Sequence, residues 1–235
     1  SVAVSGACRF CGHAPLENFL DLGSTPLANS SLDAAALQPP EPCYPLHAWL
    51  CPECLLVQVP AVVPAEAIFA DYAYFSSYAA SWVEHAARYA AMARLRFSLG
   101  PRSEVVEIAS NDGYLLRHFV AAGVPVLGVD PAANVAAAAI EAGVPTEIAF
   151  FGCATAERLR QAGHAADLLV ANNVLAHVPD LNDFVAGLAR MLKPAGVLTV
   201  EFPHLFQLMR EVQFDTIYHE HFCYFSLLAA EKIFA

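Results

Sequence analysis

Short apolar runs alternate with periodic segments from Val105 to the end of the chain. Strands are predicted for "VVEIAS", "VPVLGVD", "ADLLVANNV" and "GVLTVEF". Helices are predicted between them for "YLLRHFVAAG", which Gly123 closes, for "PAANVAAAAIEAG" and for "LNDFVAGLARML". Alternation of strands and helices favours an α/β fold with a doubly wound parallel sheet.

The pattern divides the chain into three parts. Residues 1–65 are rich in Cys and Pro and contain few periodic segments, so we interpret them as a small metal-binding domain. Residues 66–98 include "SWVEHAARYAAMARLRF" and are predicted to form a helical bridge or lid. Residues 99–235 would form the α/β domain.

Composition limits the classes of function. The 235 residues are 57% hydrophobic with a net charge of −11, so a globular chain is expected. The twelve basic residues form no cluster, which argues against nucleic acid as a partner. No apolar run approaches the ~18 residues of a membrane span, and no signal peptide is visible, so the cytoplasm is predicted.

Four of the seven cysteines form two Cys-x-x-Cys pairs, Cys8 with Cys11 and Cys51 with Cys54. Two such pairs supply the four thiolates of a tetrahedral zinc site, whose closed shell would serve folding. The interval between them exceeds the roughly 15–20 residues usual for zinc ribbons and contains Cys43 as a fifth candidate. Reduced unrelated pairs or a redox switch are the alternatives.

The turn "SNDG" after the first α/β strand stands where open sheets border their ligand crevice. Asn111, Asp112 and Gly113 belong to it, and Asp130 ends the second strand, where an acid commonly binds ribose hydroxyls. Acidic and amide groups without a basic phosphate anchor suit S-adenosylmethionine better than a dinucleotide. The alternative is a helix-capping turn with a surface acid. Asn172, Asn173 and His177 follow another strand end.

The stretch "YHEHFCYFS" places titratable side chains among aromatics. One interpretation is a metal site with His219 and His221, which lacks an evident third ligand. A second is a buried structural network. A third is acid-base catalysis, in which an imidazole removes a proton while a carboxylate and phenols orient it and stabilise an oxyanion.

Taken together, the motifs resemble those of the zinc-containing, S-adenosylmethionine-dependent sugar C-methyltransferases. The resemblance rests on "CRFCG", "LGSTPLANS", "CPECLLVQ", "DYAYFSSYAASWVEHA", "VVEIASNDGYLL", "GVDPAANVA", "NNVLAHVPDL" and "YHEHFCYFS". It runs in family order over nearly the whole chain. It implies a Rossmann-like class I methyltransferase fold behind a zinc-binding domain, and methylation of a nucleotide-linked 4-keto-deoxysugar in antibiotic biosynthesis.

The resemblance also implies residue roles. Zinc is assigned to the four paired cysteines. Cofactor binding is assigned to Glu107, Ala109, Asn111, Asp112, Gly113, Asp130, Pro131 and Asn172. The acceptor pocket is assigned to Tyr72, Ser76, Ser77, Asn173, His177, Tyr218, Glu220 and His221. In this scheme His221 is the base, Glu220 orients it, and Tyr218 with Tyr72 stabilises charge on the ketone oxygen.

The chain departs from the family in two respects. Family members usually have Gly where Ala109 stands, and they continue into a C-terminal domain that grips the nucleotide, so the resemblance implies a missing C-terminal domain or a partner chain. Two alternatives remain open. One is O- or N-methylation of a small metabolite, and the other is a non-catalytic zinc-bearing interaction module.

Overall fold

The structure is a computed structural model that describes residues 6–29, 32, 40–64, 68–69 and 74–235. The chain divides into two compact units. We call residues 68–174 and 183–201 the parallel-sheet unit. We call residues 1–67, 175–182 and 202–235 the antiparallel-sheet unit.

The parallel-sheet unit contains five parallel strands in the order β6-β5-β4-β7-β8. Their bounds are β4 Val105–Ile108, β5 Val126–Asp130, β6 Thr146–Ile148, β7 Ala166–Asn172 and β8 Leu192–Glu201. The chain starts in the middle, moves to one edge and returns past β4 to the other. This order confirms the predicted doubly wound sheet. A topological switch point lies between β4 and β7, where such sheets bind ligands.

Helices connect the strands of this unit. Their bounds are α1 Ala80–Arg96, α2 Leu116–Val120, α3 Ala133–Glu141, α4 Cys153–Gln161 and α5 Leu181–Met191, with a 3₁₀ turn at Ser76–Tyr78. Small residues on α1 and α3 face the core, among them Ala90, Ala93 and Ala139, each almost wholly buried. Strand β6 and helix α4 have no counterpart in the sequence prediction.

Strand β4 shows why the central strands read as uninterrupted apolar runs. All four of its residues are buried, as are most residues of β7. A parallel strand covered on both faces has no solvent-facing side and therefore no polar alternation. Glu107 is the one charged residue of β4, and it is buried like the others, with 1% exposure.

The antiparallel-sheet unit contains four strands in the order β1-β2-β3-β9. Their bounds are β1 Glu17–Thr25, β2 Tyr44–Leu50, β3 Val57–Gln58 and β9 Cys223–Tyr224. Helices α6 Leu205–Arg210 and α7 Leu227–Phe234 flank β9, and 3₁₀ turns occupy Leu175–His177 and Phe214–Thr216. Ser226 caps α7, because its Oγ accepts a hydrogen bond from the amide of Ala229.

The residue ranges of the two compact units differ from those of the predicted domains. Residues 175–182 and 202–235, which the sequence placed in the α/β domain, group with the N-terminal residues. The cause is visible in β3, which pairs with β9 through Val57↔Tyr224 and Gln58↔Cys223. No helix in the described part of the chain is long and apolar enough to cross a membrane.

Gly113 supplies a conformation that the fold requires after β4. Its φ is +74°, and a Cβ built there would lie 2.9 Å from Val144 Cγ2 and 3.4 Å from the Cβ of Ala139. A side chain would therefore meet both backbone strain and close packing.

We expect Gly113→Ala to lower the free energy of unfolding by about 1–3 kcal/mol more than Gly123→Ala. Gly123 has a similar φ of +70° but open space around its Cβ position, so it carries the strain without the contact. Urea denaturation of both variants measures the difference. Equal losses would contradict the assigned contact.

Candidate functional site

The four paired cysteines form one cluster in the antiparallel-sheet unit. Their Sγ atoms all lie within 4.8 Å of one another, and the pairs Cys8–Cys54 and Cys11–Cys51 are each 3.5 Å apart. A tetrahedron of thiolates around zinc with bonds of about 2.3 Å has edges of about 3.8 Å. The donor set and its spacing therefore fit a zinc ion.

Matching turns present these thiols. The amide of Gly12 donates to the carbonyl of Cys8, and the amide of Leu55 donates to the carbonyl of Cys51, both at 2.9 Å. Gly12 and Leu55 each have a positive φ. Cys43, the fifth candidate, is exposed and lies outside the cluster, with its Sγ directed at the carbonyl of Glu41.

In the parallel-sheet unit, the turn after β4 contains three left-handed residues, Ala109, Asn111 and Gly113. Ala109 has a φ of +58°, a conformation that favours glycine, which is the residue that the resemblance implies there. Asp130, at the end of β5, holds the turn. Its Oδ2 accepts from the amide of Asn111 and its Oδ1 from the amide of Ala132, both at 2.9 Å.

Pro131 lies between Asp130 and Ala132, which the second of these hydrogen bonds joins. Each carboxylate oxygen can accept a further hydrogen bond, so Asp130 remains able to bind a hydroxyl group. Burial raises the pKa of Asp130, while the two amides oppose that shift.

Three acidic side chains meet near this turn. Glu107 is 1% exposed, and burial, followed by the neighbouring Asp130 and Asp112, raises its pKa well above the usual range. Among the described residues, Glu107 Oε2 and Asp112 Oδ1 are buried without hydrogen-bond partners. Unpaired carboxyl oxygens in this acidic cluster fit a cationic ligand that carries hydrogen-bond donors, such as S-adenosylmethionine.

Asn111 and Asp112 also hold the preceding 3₁₀ turn. The amide of Ser76 donates to Asn111 Oδ1 at 2.9 Å, and the amide of Ser77 donates to Asp112 Oδ2 at 3.1 Å. The structure therefore brings the predicted acceptor residues Ser76 and Ser77 to the predicted cofactor turn. Tyr72 lies outside the described residues.

Polar residues at the ends of β7 and β8 form a further group. Asn172 ends β7, and the side chain of Asn173 donates to Glu201 Oε1 at 3.0 Å. The other oxygen, Oε2, is 3.0 Å from His85 Nε2. Sequence reasoning missed Glu201 and His85, although Glu201 ends a strand as Asp130 does.

In the antiparallel-sheet unit, Tyr218, His177 and His221 come together. The hydroxyl of Tyr218 is 2.9 Å from His221 Nε2, and the two imidazole centroids are 4.7 Å apart. His221 Nδ1 is 3.2 Å from the carbonyl oxygen of Thr216. A carbonyl only accepts, so Nδ1 carries the proton, and Nε2 accepts the phenol's hydrogen bond.

Burial keeps both imidazoles neutral. It lowers the pKa of His177 to about 4 and, with the neighbouring His177, lowers the pKa of His221 to about 3. His177 Nδ1 donates to the main-chain carbonyl of Glu220 at 3.0 Å. At neutral pH the Nε2 atom of each imidazole therefore carries no proton.

The structure gives Glu220 a different place from the predicted orienting role. Its Oε1 accepts from Asn29 Nδ2 at 3.0 Å, and Oε2 has no partner among the described residues. The carbonyl of Thr216 orients His221 instead. A main-chain acceptor leaves no signal in the sequence, which explains why it was missed. Burial raises the pKa of Glu220.

A small cavity of about 110 Å³ adjoins Tyr218 and His221. Tyr218, His221, Thr216 and Tyr224 provide its polar wall, and the remaining lining is Ala176, Pro203, Leu208, Cys223 and Phe225. His219 does not line it. Its Nε2 is 3.2 Å from the carbonyl of Pro45, so the two histidines of "HEH" have separate surroundings.

Comparisons with known proteins match the chain to two families, one for each of two successive segments. Residues 8–69 match a family described as a zinc binding domain, and residues 82–235 match one described as a methyltransferase domain. The chain is similar to C-methyltransferase NovU of Streptomyces niveus, with 37% identity over 220 residues that cover 94% of this chain. The match covers 52% of that protein, so the chain spans about half the length of this relative.

Two further comparisons support the α/β part. An O-methyltransferase of ubiquinone biosynthesis from Rhodopseudomonas palustris (strain BisB18) is 33% identical over 97 residues, 41% of this chain and 38% of that protein. A crystal structure of a SAM-dependent methyltransferase from Archaeoglobus fulgidus superposes with a TM-score of 0.50 at 16% identity. It covers 63% of this chain and 66% of that chain, and shows a shared fold.

Zinc removal should loosen the whole antiparallel sheet. Cys51 and Cys54 stand in the loop between β2 and β3, and β3 pairs with β9. We expect a chelator to remove one zinc per chain and to speed amide exchange in β3 and β9 more than in β4. Elemental analysis and hydrogen exchange check this.

Cys54→Ser removes one of the four clustered thiols, and Cys43→Ser is its matched control. Cys43 is an exposed thiol outside the cluster, so its variant should keep full zinc content and wild-type exchange. Metal-free protein after purification under reducing conditions would contradict the assignment.

The protonation state of the imidazoles is also testable. Because the pKa of each is lowered, we expect His177 and His221 to stay neutral and protonated on Nδ1 from pH 8 down to about 5. Nitrogen-15 spectra of labelled imidazoles report the tautomer. A titration midpoint near 6.5, or a proton on Nε2, would contradict the described hydrogen bonds.

Proposed function

Since the chain belongs to the methyltransferase domain family, we propose that it transfers a methyl group from S-adenosylmethionine to a carbon beside a ketone. The acceptor we propose is a nucleotide-linked 4-keto-deoxysugar. The observation that carries the proposal is the Tyr218–His221 contact of 2.9 Å, with Nδ1 fixed by Thr216. This arrangement pairs a neutral base with a hydrogen-bond donor, as enolate formation requires.

The cofactor would be held by the turn after β4 and by the end of β5. Asp130 would accept hydrogen bonds from hydroxyl groups, and Gly113 would let the backbone approach the ligand. The unpaired carboxyl oxygens of Glu107 and Asp112 would accept from donors on a cation. Bound there, the cofactor supplies an electrophilic sulfonium methyl group. Asn172, at the end of β7, completes the proposed set.

The acceptor would be activated at the imidazole pair. Tyr218 turns its hydroxyl from His221 Nε2 to the ketone oxygen, which frees the nitrogen lone pair. Nε2 then takes the proton from the carbon beside the ketone. The C–H electron pair forms the enolate, whose negative oxygen Tyr218 stabilises. The enolate carbon would form a bond to the sulfonium methyl group while the C–S bond breaks and leaves a neutral thioether, and the imidazolium would release its proton to solvent.

Other predicted residues have supporting roles in this proposal. His177 lies 4.7 Å from the base, ring to ring, and its uncharged state keeps a second cation away from His221. Glu220 is a buried structural acceptor for Asn29. We propose that Ser76, Ser77 and Asn173 contact the acceptor, as the family resemblance implies, and Tyr72 would add a second phenol.

The nature of the acceptor rests on similarity. NovU bears the name C-methyltransferase, and it matches 94% of this chain. The match to the O-methyltransferase covers less than half of the chain and supports only the shared domain. Oxygen or nitrogen methylation needs a base but no stabilised enolate. Methylation at carbon and the sugar class of the acceptor are therefore parts of the proposal, and they concern the whole protein.

His221→Gln should abolish exchange of the acidic C–H with deuterium while zinc and cofactor remain bound. Loss of a general base typically lowers a rate by roughly 10²–10⁴-fold. The measurement is deuterium incorporation into a nucleotide-linked 4-keto-deoxysugar by the whole protein, any further domain included.

His219→Gln is the control, because His219 lies outside the cavity and is 2% exposed. We expect this variant to have a lower melting temperature and, when folded, to retain exchange of the acidic C–H with deuterium. Retained exchange in His221→Gln would reject His221 as the base. If His221→Gln alone failed to fold, the stretch "YHEHFCYFS" would have a structural role.

Asp130→Asn should weaken S-adenosylmethionine binding by roughly 1.5–3 kcal/mol, the range for hydrogen bonds to a charged group. Asp167→Asn is the control, because Asp167 near the start of β7 pairs with Lys193. Calorimetry measures the affinity of both folded variants for S-adenosylmethionine. Equal affinities would show that Asp130 serves only the turn.

A further inference from the structure

Arg9 stands inside the first zinc-binding turn, between Cys8 and Cys11. We propose that Arg9 is a positioning residue, through which this turn sets the separation and orientation of the His177 and His221 imidazoles. The inference deepens the proposed function and rests on it for the role of His221. Nothing in the sequence pattern alone distinguishes Arg9 from an ordinary surface arginine.

The Arg9 side chain is anchored at β3. Its Nε lies 3.3 Å from Gln58 Oε1, and its main-chain amide donates to the same oxygen at 3.1 Å. Its Nη2 donates to the carbonyl of Val59 at 2.6 Å. Gln58 is 4% exposed and pairs with Cys223 in β9. The guanidinium is therefore fixed against the sheet that carries the catalytic stretch.

From this anchor, Arg9 reaches both imidazole-bearing segments. Its Nη1 donates to the carbonyl of Pro179 at 2.9 Å, two residues beyond His177. Its Cζ lies 5.5 Å from the centroid of the Phe222 ring, and Phe222 directly follows His221. One planar cation thus joins the chain next to each imidazole.

Main-chain bonds connect the same segments. The amide of Phe222 donates to the carbonyl of Ala176 at 2.7 Å, and the amide of Val59 donates to the carbonyl of Phe222 at 3.0 Å. Phe10, the other residue between the two cysteines, accepts from Asn182 Nδ2 at 2.9 Å. Both residues of the turn therefore hold the segment that contains His177.

Geometry explains why the residue is Arg. Three nitrogens of one guanidinium serve Gln58, Val59 and Pro179 in different directions while the face lies over Phe222. A lysine ammonium is a single point donor and would keep only part of this set. Arg9→Lys therefore preserves the charge and weakens the bracing.

The test compares Arg9→Lys with Arg210→Lys in the whole, zinc-loaded protein. Arg210 is an exposed arginine of the same unit that pairs with Glu211, so it controls for the chemical change. Four quantities are measured: zinc content, melting temperature, nitrogen-15 imidazole spectra, and kcat and KM for deuterium exchange of a nucleotide-linked 4-keto-deoxysugar.

We expect Arg9→Lys to keep one zinc per chain and to lose the fixed Nδ1 tautomer of His221. Its kcat should fall roughly 10- to 100-fold with little change in KM, as displacement of a catalytic group by about 1 Å produces. Arg210→Lys should match the wild type. Spectra and kcat of Arg9→Lys equal to those of Arg210→Lys would overturn the proposal.

If Arg9→Lys loses zinc, Gln58→Leu is the second variant. It leaves Arg9 and all four cysteines unchanged and removes the anchoring oxygen. Changed imidazole spectra at full zinc content support positioning, and unchanged spectra overturn it. Failure of the proposed function looks different, because the wild type would then show no exchange while the spectra of Arg9→Lys still change.

Discussion

The pairing of β3 with β9 is the constraint on which the antiparallel-sheet unit depends. It is only two residues long on each strand, Val57–Gln58 against Cys223–Tyr224. Yet it joins the strand that follows the second zinc-binding turn to the strand that follows His221. A short ladder is weak alone, so the four thiols and Arg9 stabilise it from one side. In the proposed function, chemistry late in the chain would thereby depend on metal binding early in the chain.

Backbone geometry makes the corresponding contribution in the parallel-sheet unit. Three left-handed residues within five positions turn the chain after β4, and Asp130 fixes that turn through amide hydrogen bonds. The same carboxylate keeps capacity for a ligand. Nearby, Glu107 is buried where no cation among the described residues neutralises it. A positively charged ligand bound beside this carboxyl would favour its ionised form.

Much of this was predictable from the sequence. Buried strands, Gly-ended helices and the paired cysteines follow local rules, so the sheet and the thiol cluster were predicted correctly. The edge strand β6 was missed because "TEI" is too short and too polar to predict a strand. The orienting carbonyl of Thr216 is a main-chain group that any residue would supply, and the proposed bracing by Arg9 depends on contacts distant in sequence, so no local pattern encodes either. The carboxyl of Glu220 bonds to Asn29, because adjacency in sequence does not make the side chains of Glu220 and His221 neighbours.

The central claim is that the methyl group goes to carbon. The most direct measurement supplies the whole protein with S-adenosylmethionine labelled with carbon-13 at its methyl group, together with a nucleotide-linked 4-keto-deoxysugar. The account predicts a labelled methyl group bonded to the ring carbon beside the ketone, as carbon-13 spectra of the product would show. A label on oxygen or nitrogen, or no transfer by a zinc-loaded protein that binds the cofactor, would contradict it.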